Sequence, residues 1–156
     1  MNIADKVQKT GIYIGKMHIT QCKKGNDVFE LETKFSMTDF KVMGDLVYFC
    51  FNKQTEDFLL KIGKTTDNTA GFYTRMRTYM RKDQTTDMMI RKMKEYGITE
   101  LDVFAVQIPR ETITRFDPIT EQSISIEVSC AEAWEKKYQA TAQLEGFDLP
   151  LCRQKG

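Results

Sequence analysis

Two apolar runs in the middle of the chain, joined by a short polar segment, restrict the fold more than any other feature. Residues 46–51 read Leu-Val-Tyr-Phe-Cys-Phe, and residues 58–64 read Phe-Leu-Leu-Lys-Ile-Gly-Lys. Short apolar runs rich in aromatic and branched side chains are typical of strands that are buried on both faces. Because residues 52–57 between them are polar and turn-prone, the pattern predicts an antiparallel hairpin at the centre of the fold.

The remaining periodicity predicts a mixture of helices and strands. Before the central hairpin, we expect an N-terminal hairpin, with strands at 12–21 and 28–35 and a turn at 24–27, and a short helix that starts at 36–39. After the central hairpin, we expect a turn at 65–68, helices over 70–81 and 86–96, and a strand over 101–108. The last elements are an exposed hairpin, with strands at 112–116 and 119–128, and a helix over 129–144. The predicted fold class is therefore α+β. A small antiparallel sheet, centred on the central hairpin and the 101–108 strand, is flanked by helices and extended by the N-terminal hairpin.

The composition excludes several classes of enzyme. The chain has 156 residues, enough for one globular domain, and a single histidine, His18. Serine-histidine triads, cysteine-histidine dyads and histidine-rich zinc centres all require imidazole groups. Any catalytic proton transfer is therefore expected to use other side chains.

Cysteine spacing and hydropathy bear on the compartment. The four cysteines, Cys22, Cys50, Cys130 and Cys152, form no C-x-x-C pair, and no basic-then-apolar signal segment precedes them. We expect reduced, mostly buried thiols in an intracellular, cytoplasmic protein. No apolar run approaches the roughly 18 residues that a membrane helix requires, so no membrane association is expected.

Charge is distributed unevenly although the formal net charge is only +1. Residues 61–94 carry nine lysines and arginines against three aspartates, whereas residues 100–135 carry eight acidic residues against two arginines. A basic segment with interleaved aromatic residues is suited to a phosphate backbone. The alternative is a pair of ordinary amphipathic helices with solvated basic faces.

Tyr48 and Lys61 are the first candidates for chemistry. Tyr48 lies in the middle of the first apolar run, and Lys61 interrupts the second run thirteen residues later. Hydrolysis of a phosphodiester needs an activated water, positive charge at the phosphoryl oxygens and stabilisation of the leaving alkoxide. Without useful histidine, tyrosine, lysine, arginine and a metal-binding carboxylate remain for these tasks, and a tight hairpin brings the first two together.

Three motifs in order resemble a known family. They are Val47-Tyr48-Phe49, then Lys61-Ile62-Gly63-Lys64, then Arg75-Met76-Arg77-Thr78-Tyr79. The series is similar to that of the GIY-YIG nucleases, and most similar to their small type II restriction endonuclease branch, in which lysine replaces the second tyrosine. The likeness continues through 103–105 and 112–126 to Ala131-Glu132. It covers residues 45–152 as a nuclease domain and leaves 1–44 as an accessory hairpin or arm and 153–156 as a tail. The fused motif Gly11-Ile12-Tyr13-Ile14-Gly15 is interpreted as a coincidence, because it leaves no room for a second strand.

The resemblance implies a role for each catalytic candidate. Tyr48 is the general base if neighbouring cations or a metal favour its phenolate, and Lys61 polarises Tyr48 or the attacking water. Arg75 grips the scissile phosphate, and Glu132 holds one Mg²⁺, with Mn²⁺ as a substitute. Glu135 is the fallback metal ligand.

Each candidate also has a purely structural alternative. Tyr48 is then a buried strand tyrosine, Lys61 a strand lysine reaching solvent, and Arg75 one more cation on a basic helix. Glu132 has the strongest alternative, because Ser129-x-x-Glu132 matches a capping box at a helix start.

The implied substrate is double-stranded DNA. The residues expected to contact DNA are Lys64, Arg77, Tyr79, Arg81 and Lys82, although Tyr79 also suits orientation of the site or packing of its helix. One such site cuts one strand, so a symmetric homodimer is expected. The resemblance suggests a bacterial cell or a phage-infected host. Two other functions stay open: a DNA- or RNA-binding module on the same fold without hydrolysis, and a phage- or plasmid-encoded protein that blocks a host factor.

Overall fold

A computed structural model of the protein describes residues 1–52, 58–66 and 70–152. In chain order, the elements are α1 (Ile3–Thr10), β1 (Ile12–Gln21), β2 (Asp27–Glu32), α2 (Met37–Met43), β3 (Leu46–Phe51), β4 (Leu59–Thr65), α3 (Phe72–Tyr79), α4 (Gln84–Glu95), β5 (Glu100–Gln107), β6 (Glu111–Asp117), β7 (Gln122–Val128) and α5 (Ala131–Leu144). Most of the predicted turn at 52–57, part of the turn at 65–68 and the 153–156 tail lie outside the described residues.

Five strands form one sheet in the order β2-β1-β5-β3-β4, and every neighbouring pair is antiparallel. The α+β prediction is confirmed, and so is the central hairpin, in which Tyr48 lies opposite Gly63 and Cys50 opposite Lys61. The predicted 101–108 strand is β5, which occupies the middle of the sheet and pairs with both β1 and β3. β4 is an edge strand.

The N-terminal region is continuous with this sheet. β1 and β2 form the predicted hairpin, and β1 also pairs with β5 along Ile12 to His18. The predicted boundary at residue 44 therefore falls between strands of one sheet. The predicted elements do not include α1, an eight-residue helix capped by Asn2, whose buried Ile3, Ala4 and Val7 pack beside α5. The Asn2 cap and the spacing of Ile3 and Val7 were available signals for this helix.

The two faces of the sheet hold two hydrophobic clusters. Alternate residues of a strand point to opposite faces, so Tyr48 and Cys50 belong to the cluster under α3 and α4, while Val47 and Phe49 belong to the cluster under α1 and α5. This explains why β3 is apolar throughout, with all six residues buried. Of the four unpaired cysteines, Cys50 is buried and the other three are partly buried, and Cys130 and Cys152 pack against the second cluster.

β6 and β7 form a hairpin that stands apart from the main sheet. Its strands begin at Glu111 and Gln122, slightly offset from the predicted starts, and 118–121 make the turn between them. Asp117 fixes this turn by accepting hydrogen bonds from the Ile119 amide, at 3.0 Å, and the Thr120 hydroxyl, at 2.6 Å. Nearly every hairpin residue is exposed or half-exposed. Among all described residues, no helix combines the length and apolar character needed to cross a lipid bilayer.

Candidate active site

A polar cleft runs along the outer edge of β4, between α3 and α4 on one side and α5 on the other. We call it the β4 cleft. Its volume is about 390 Å³, and its lining consists of Tyr48, Lys61, Ile62, Gly63, Lys64, Arg75, Tyr79, Thr85, Glu135, Lys136, Gln139 and Cys152. Four of these side chains are cationic and one is a carboxylate. The cleft therefore attracts anions.

Gly63 allows the tyrosine of the first motif to reach the cleft. A Cβ atom added at Gly63 would overlap Cζ and the hydroxyl of Tyr48, so the Tyr48 ring lies directly over the Gly63 backbone. Tyr48 cannot move away easily, because its ring packs against Phe72 with ring centroids 5.2 Å apart. The glycine in K-I-G is thus required by close approach of the neighbouring strand's side chain.

Tyr48 and Tyr79 share a hydrogen bond between their buried hydroxyl groups. Burial raises the pKa of Tyr48 well above its usual value of 10.0, and the neighbouring Tyr79 adds to the rise, while Arg75 opposes it. Burial also raises the pKa of Tyr79, against the positive charge of Lys61. In the free protein both phenols are therefore neutral, and the cations that were expected to favour a Tyr48 phenolate do not outweigh burial.

Lys61 is a buried cation, with only 7% of its surface exposed. Its ammonium donates a hydrogen bond to the Leu151 carbonyl at 3.3 Å, and the Leu151 amide donates to the Leu60 carbonyl at 3.1 Å. The segment before the C-terminal tail thus holds Lys61 against the edge of the sheet. Burial raises the pKa of Cys50 to about 12 in spite of the facing Lys61 charge. Lys61 is therefore not a strand lysine whose ammonium reaches solvent, which was its structural alternative.

Arg75 projects from α3 into the cleft and is half-buried. It also lines an adjoining crevice with Thr65, Thr66, Thr74 and Thr78, so the guanidinium stands at the junction of the two depressions. Within the described part of the chain, no carboxylate forms an ion pair with Arg75. A planar guanidinium at such a place can give two parallel hydrogen bonds to a phosphate.

Two glutamates of α5 differ in their relation to the cleft. Glu132 is half-exposed and forms ion pairs with Lys64, at 3.6 Å, and Lys136, at 3.7 Å, but it does not line the cleft. Glu135 lines it, so the fallback carboxylate is the better placed of the two.

The start of α5 also differs from the capping-box alternative. The N-cap residue is Cys130, and the Ser129 hydroxyl donates to the Asp45 carboxylate and accepts a hydrogen bond from the Ala131 amide at 3.4 Å. Glu132 forms ion pairs with Lys64 and Lys136.

The described residues contain no cluster of three or more histidine, cysteine, aspartate or glutamate side chains that could enclose a metal ion. A site built on one carboxylate needs no such cluster. Mg²⁺ commonly keeps several waters and takes one or two carboxylates together with substrate phosphate oxygens. Glu135 lies in the cleft and can be that carboxylate, whereas Glu132 lies outside the cleft in ion pairs with Lys64 and Lys136.

Only some of the residues expected to contact DNA lie in the cleft. Lys64 and Tyr79 line the cleft, although Tyr79 is fully buried, which favours its orienting role. Arg77 and Arg81 are exposed outside the cleft, and Lys82 lines a separate depression beside Asp27. Two further residues of the cleft, Lys136 and Gln139, were not among the predicted site residues. The Gln139 amide donates to the Ile62 carbonyl at 3.0 Å, and its i, i+4 spacing from Glu135 was an available signal.

The fused motif near the N-terminus has a separate structural basis. Gly15, with φ of +147°, passes so close to Glu32 that a Cβ would overlap the Glu32 carbonyl oxygen. The Tyr13 hydroxyl donates to the Asp102 carboxylate at 2.8 Å, and partial burial together with this contact raises the pKa of Tyr13 to about 12. Both residues are distant in the sheet order from the β4 cleft.

Comparison with known proteins gives no assignment. No model of a protein family, no curated protein and no solved structure matches this chain.

Proposed function

We propose that the protein is a metal-dependent endonuclease that hydrolyses phosphodiester bonds of double-stranded DNA in the β4 cleft. The observation that carries this proposal is the convergence of Tyr48, Lys61 and Arg75 from three separate elements on one cationic cleft. These are the residues of the three motifs that resemble the GIY-YIG nucleases.

In this proposal, the position of each residue in the cleft determines its role. Arg75 and Lys61 neutralise the phosphoryl oxygens of the scissile phosphate, and Lys64 and Lys136 attract the flanking backbone. The buried Lys61 ammonium is fixed by the Leu151 carbonyl, which accepts one of its three donors. A fixed cation stabilises developing charge without reorganisation in the transition state.

Tyr48 enters this mechanism as a neutral phenol. Tyr79 holds its hydroxyl in place, and burial keeps the proton on it. In the resting protein Tyr48 therefore orients the attacking water, and a role as base requires more positive charge in the cleft. A bound Mg²⁺ or Mn²⁺ supplies such charge and lowers the pKa of a bound water. Glu135 holds the ion in this proposal, and Glu132 is the second candidate ligand.

The test is cleavage of supercoiled plasmid with Mg²⁺, Mn²⁺ or EDTA. We expect metal-dependent nicking by the wild type, and a loss of activity in Lys61→Ala and Glu135→Gln. Glu132→Gln is the matched control, because it removes a neighbouring carboxylate of the same helix that lies outside the cleft. Loss in Glu132→Gln alone moves the metal to Glu132. An absence of nicking with either ion, or equal nicking by all the variants, refutes the proposal.

Binding without hydrolysis is the second candidate function, and the raised pKa of Tyr48 favours it. In that case the same cationic cleft holds DNA or RNA, and no metal produces cleavage. Arg75→Ala then weakens binding and makes its salt dependence shallower by about one counterion. Electrophoretic mobility shifts at several salt concentrations distinguish this outcome from a catalytic defect with unchanged binding.

A further inference from the structure

A second depression adjoins the β4 cleft on the side of α3. We call it the threonine crevice; its volume is about 320 Å³, and the described residues that line it are Thr65, Thr66, Thr74, Arg75 and Thr78. Thr65 ends β4 and Thr66 follows it, whereas the other three residues belong to α3. Because Thr74 and Thr78 are four residues apart, they lie on one side of the helix. The crevice thus brings four threonines together with one arginine.

The fold does not use the hydroxyl groups of these threonines. In the part of the chain that the structure describes, none of the four hydroxyls takes part in a hydrogen bond. A threonine within a helix can donate to the carbonyl four residues earlier, as Thr10 does to Lys6 at 2.7 Å. Thr78 does not donate to Thr74 in this way, although β-branched residues are unfavourable in helices. The hydroxyls are therefore available to a ligand.

Side chains outside the crevice hold both of its walls in place. On one wall, Arg110 donates to the Thr66 carbonyl at 3.2 Å and forms an ion pair at 3.1 Å with Asp45, which is buried. On the other wall, the buried Thr86 donates from its hydroxyl to the Thr78 carbonyl at 2.9 Å. These contacts engage backbone carbonyls and leave the threonine side chains of the crevice free. A site with fixed walls loses little entropy when a ligand binds.

The lining of the crevice favours an anion, because its one charged side chain among the described residues is Arg75. Arginine and hydroxyl groups commonly donate to the phosphate oxygens of nucleic acids. We propose that the threonine crevice binds a phosphate of the DNA strand, next to the phosphate in the β4 cleft. Phosphates follow one another at about 3.4 Å of helix axis along a strand, and Arg75 lines both depressions. That the strand is DNA rests on the proposed function.

The threonine hydroxyls contribute to binding in a different way from the lysines of the β4 cleft. A lysine that neutralises a phosphate releases a counterion, so it adds about one to the slope of log affinity against log salt concentration. A neutral hydroxyl releases no counterion and strengthens binding without changing that slope. The crevice therefore fixes the position of the strand relative to Arg75, whereas Lys64 and Lys136 attract it.

The test is binding of a fluorescein-labelled DNA duplex to the full-length protein in EDTA, measured by fluorescence anisotropy at several salt concentrations. The valine variant, Thr74→Val with Thr78→Val, removes two hydroxyls, and the serine variant, Thr74→Ser with Thr78→Ser, is the matched control that keeps them. We expect the valine variant to bind at least about tenfold more weakly with an unchanged salt slope. The serine variant is expected to bind nearly as tightly as the wild type. Lys136→Ala, in contrast, is expected to make the slope shallower by about one.

Equal affinity of the valine and serine variants, or a loss in the valine variant with a shallower salt slope, overturns the proposal. Inorganic phosphate, compared with chloride at the same ionic strength, tests the other source of the ligand. If it raises the melting temperature of the wild type but not of the valine variant, and the two bind DNA equally, the crevice takes free phosphate and the proposal is wrong. If circular dichroism shows that the valine variant does not fold, the exposed Thr74→Val change alone continues the test.

These measurements separate the inference from the proposed function. Weaker DNA binding by the valine variant, together with no cleavage by the wild type in any metal, refutes hydrolysis and leaves the threonine crevice as a phosphate site. Metal-dependent cleavage by a valine variant that binds DNA as tightly as the wild type has the opposite meaning.

Discussion

The β4 cleft and the β6–β7 hairpin both hold side chains in environments opposite to the usual ones for their type. In the cleft, polar and charged groups such as Lys61 and the Tyr48–Tyr79 pair are buried between helices. In the hairpin, isoleucines are exposed to solvent. Buried polar groups and exposed apolar groups both cost free energy, and proteins retain them mainly where they serve function. The two regions therefore differ in which kind of side chain is held in the unfavourable environment, polar groups in the cleft and apolar groups in the hairpin.

The largest expected effect is on the rate of DNA cleavage, and it is tested by replacing one arginine in each region. We expect Arg75→Ala to reduce plasmid cleavage by about 10²–10³-fold, because a preorganised cation at a developing charge contributes on that scale. Arg115→Ala, its counterpart in the hairpin, is expected to leave single-strand nicking nearly unchanged. Initial nicking rates of both variants check this, and equal losses would break the distinction between the regions.

Gly63→Ala tests the close packing of the cleft. The new Cβ would overlap the Tyr48 ring, which is held by Phe72, so we expect a loss of about 1–3 kcal/mol in the free energy of unfolding. Ser123→Ala in the exposed hairpin is the control and is expected to change it by less than about 0.5 kcal/mol. Urea denaturation measures both, and a neutral Gly63→Ala would show that Tyr48 moves aside at little cost.

The tyrosine pair tests whether the two hydroxyl groups depend on each other. Tyr48→Phe or Tyr79→Phe alone leaves one buried hydroxyl without its partner, at a cost of about 1–3 kcal/mol. The double variant removes both groups and is expected to be more stable than the sum of the single changes predicts. A double-mutant cycle from urea denaturation gives the coupling free energy, and strict additivity contradicts the shared hydrogen bond.

The pH dependence of stability follows from the same pair. Both pKa values are raised in the folded state, so the contribution of these tyrosines is fully present below pH 10.0 and is lost as the pH rises above it. The unfolded chain then releases protons that the folded chain retains. We expect the Tyr48→Phe, Tyr79→Phe double variant to lose less stability than the wild type between neutral and strongly alkaline pH. Denaturation at several pH values checks this, and parallel curves would contradict it.

The smallest expected effect concerns the hairpin itself. Replacing Ile126 by Thr removes apolar surface from a residue that belongs to no cluster, so we expect a change of less than about 0.5 kcal/mol in unfolding free energy. Ile62→Thr in β4 is the matched change in the core and is expected to cost several times more. Thermal unfolding of dilute protein compares them, and similar costs would show that the hairpin is part of the core.

Local patterns predicted the elements that contain enough residues to repeat. The apolar runs of β3 and β4, the hairpin of β1 and β2 and the periodic helices α3, α4 and α5 all appear close to their predicted positions. The eight-residue α1 was not predicted, although α3 has the same length and α1 carries an Asn2 cap and apolar residues at helical spacing. The complete strand order β2-β1-β5-β3-β4 could not be predicted, since it depends on contacts between residues far apart in sequence.

The candidate site shows the same difference between what local sequence determines and what tertiary packing determines. The sequence alone determined the side chains available, their order and the strand pairing that brings Lys61 near Tyr48, because these depend on residue type and local alternation. The tertiary structure decided which of them share a cleft. It placed Glu135 and not Glu132 there and buried the Tyr48 phenol against Tyr79. Burial and neighbouring charge are set by the packing of distant elements, and no local pattern contains that information.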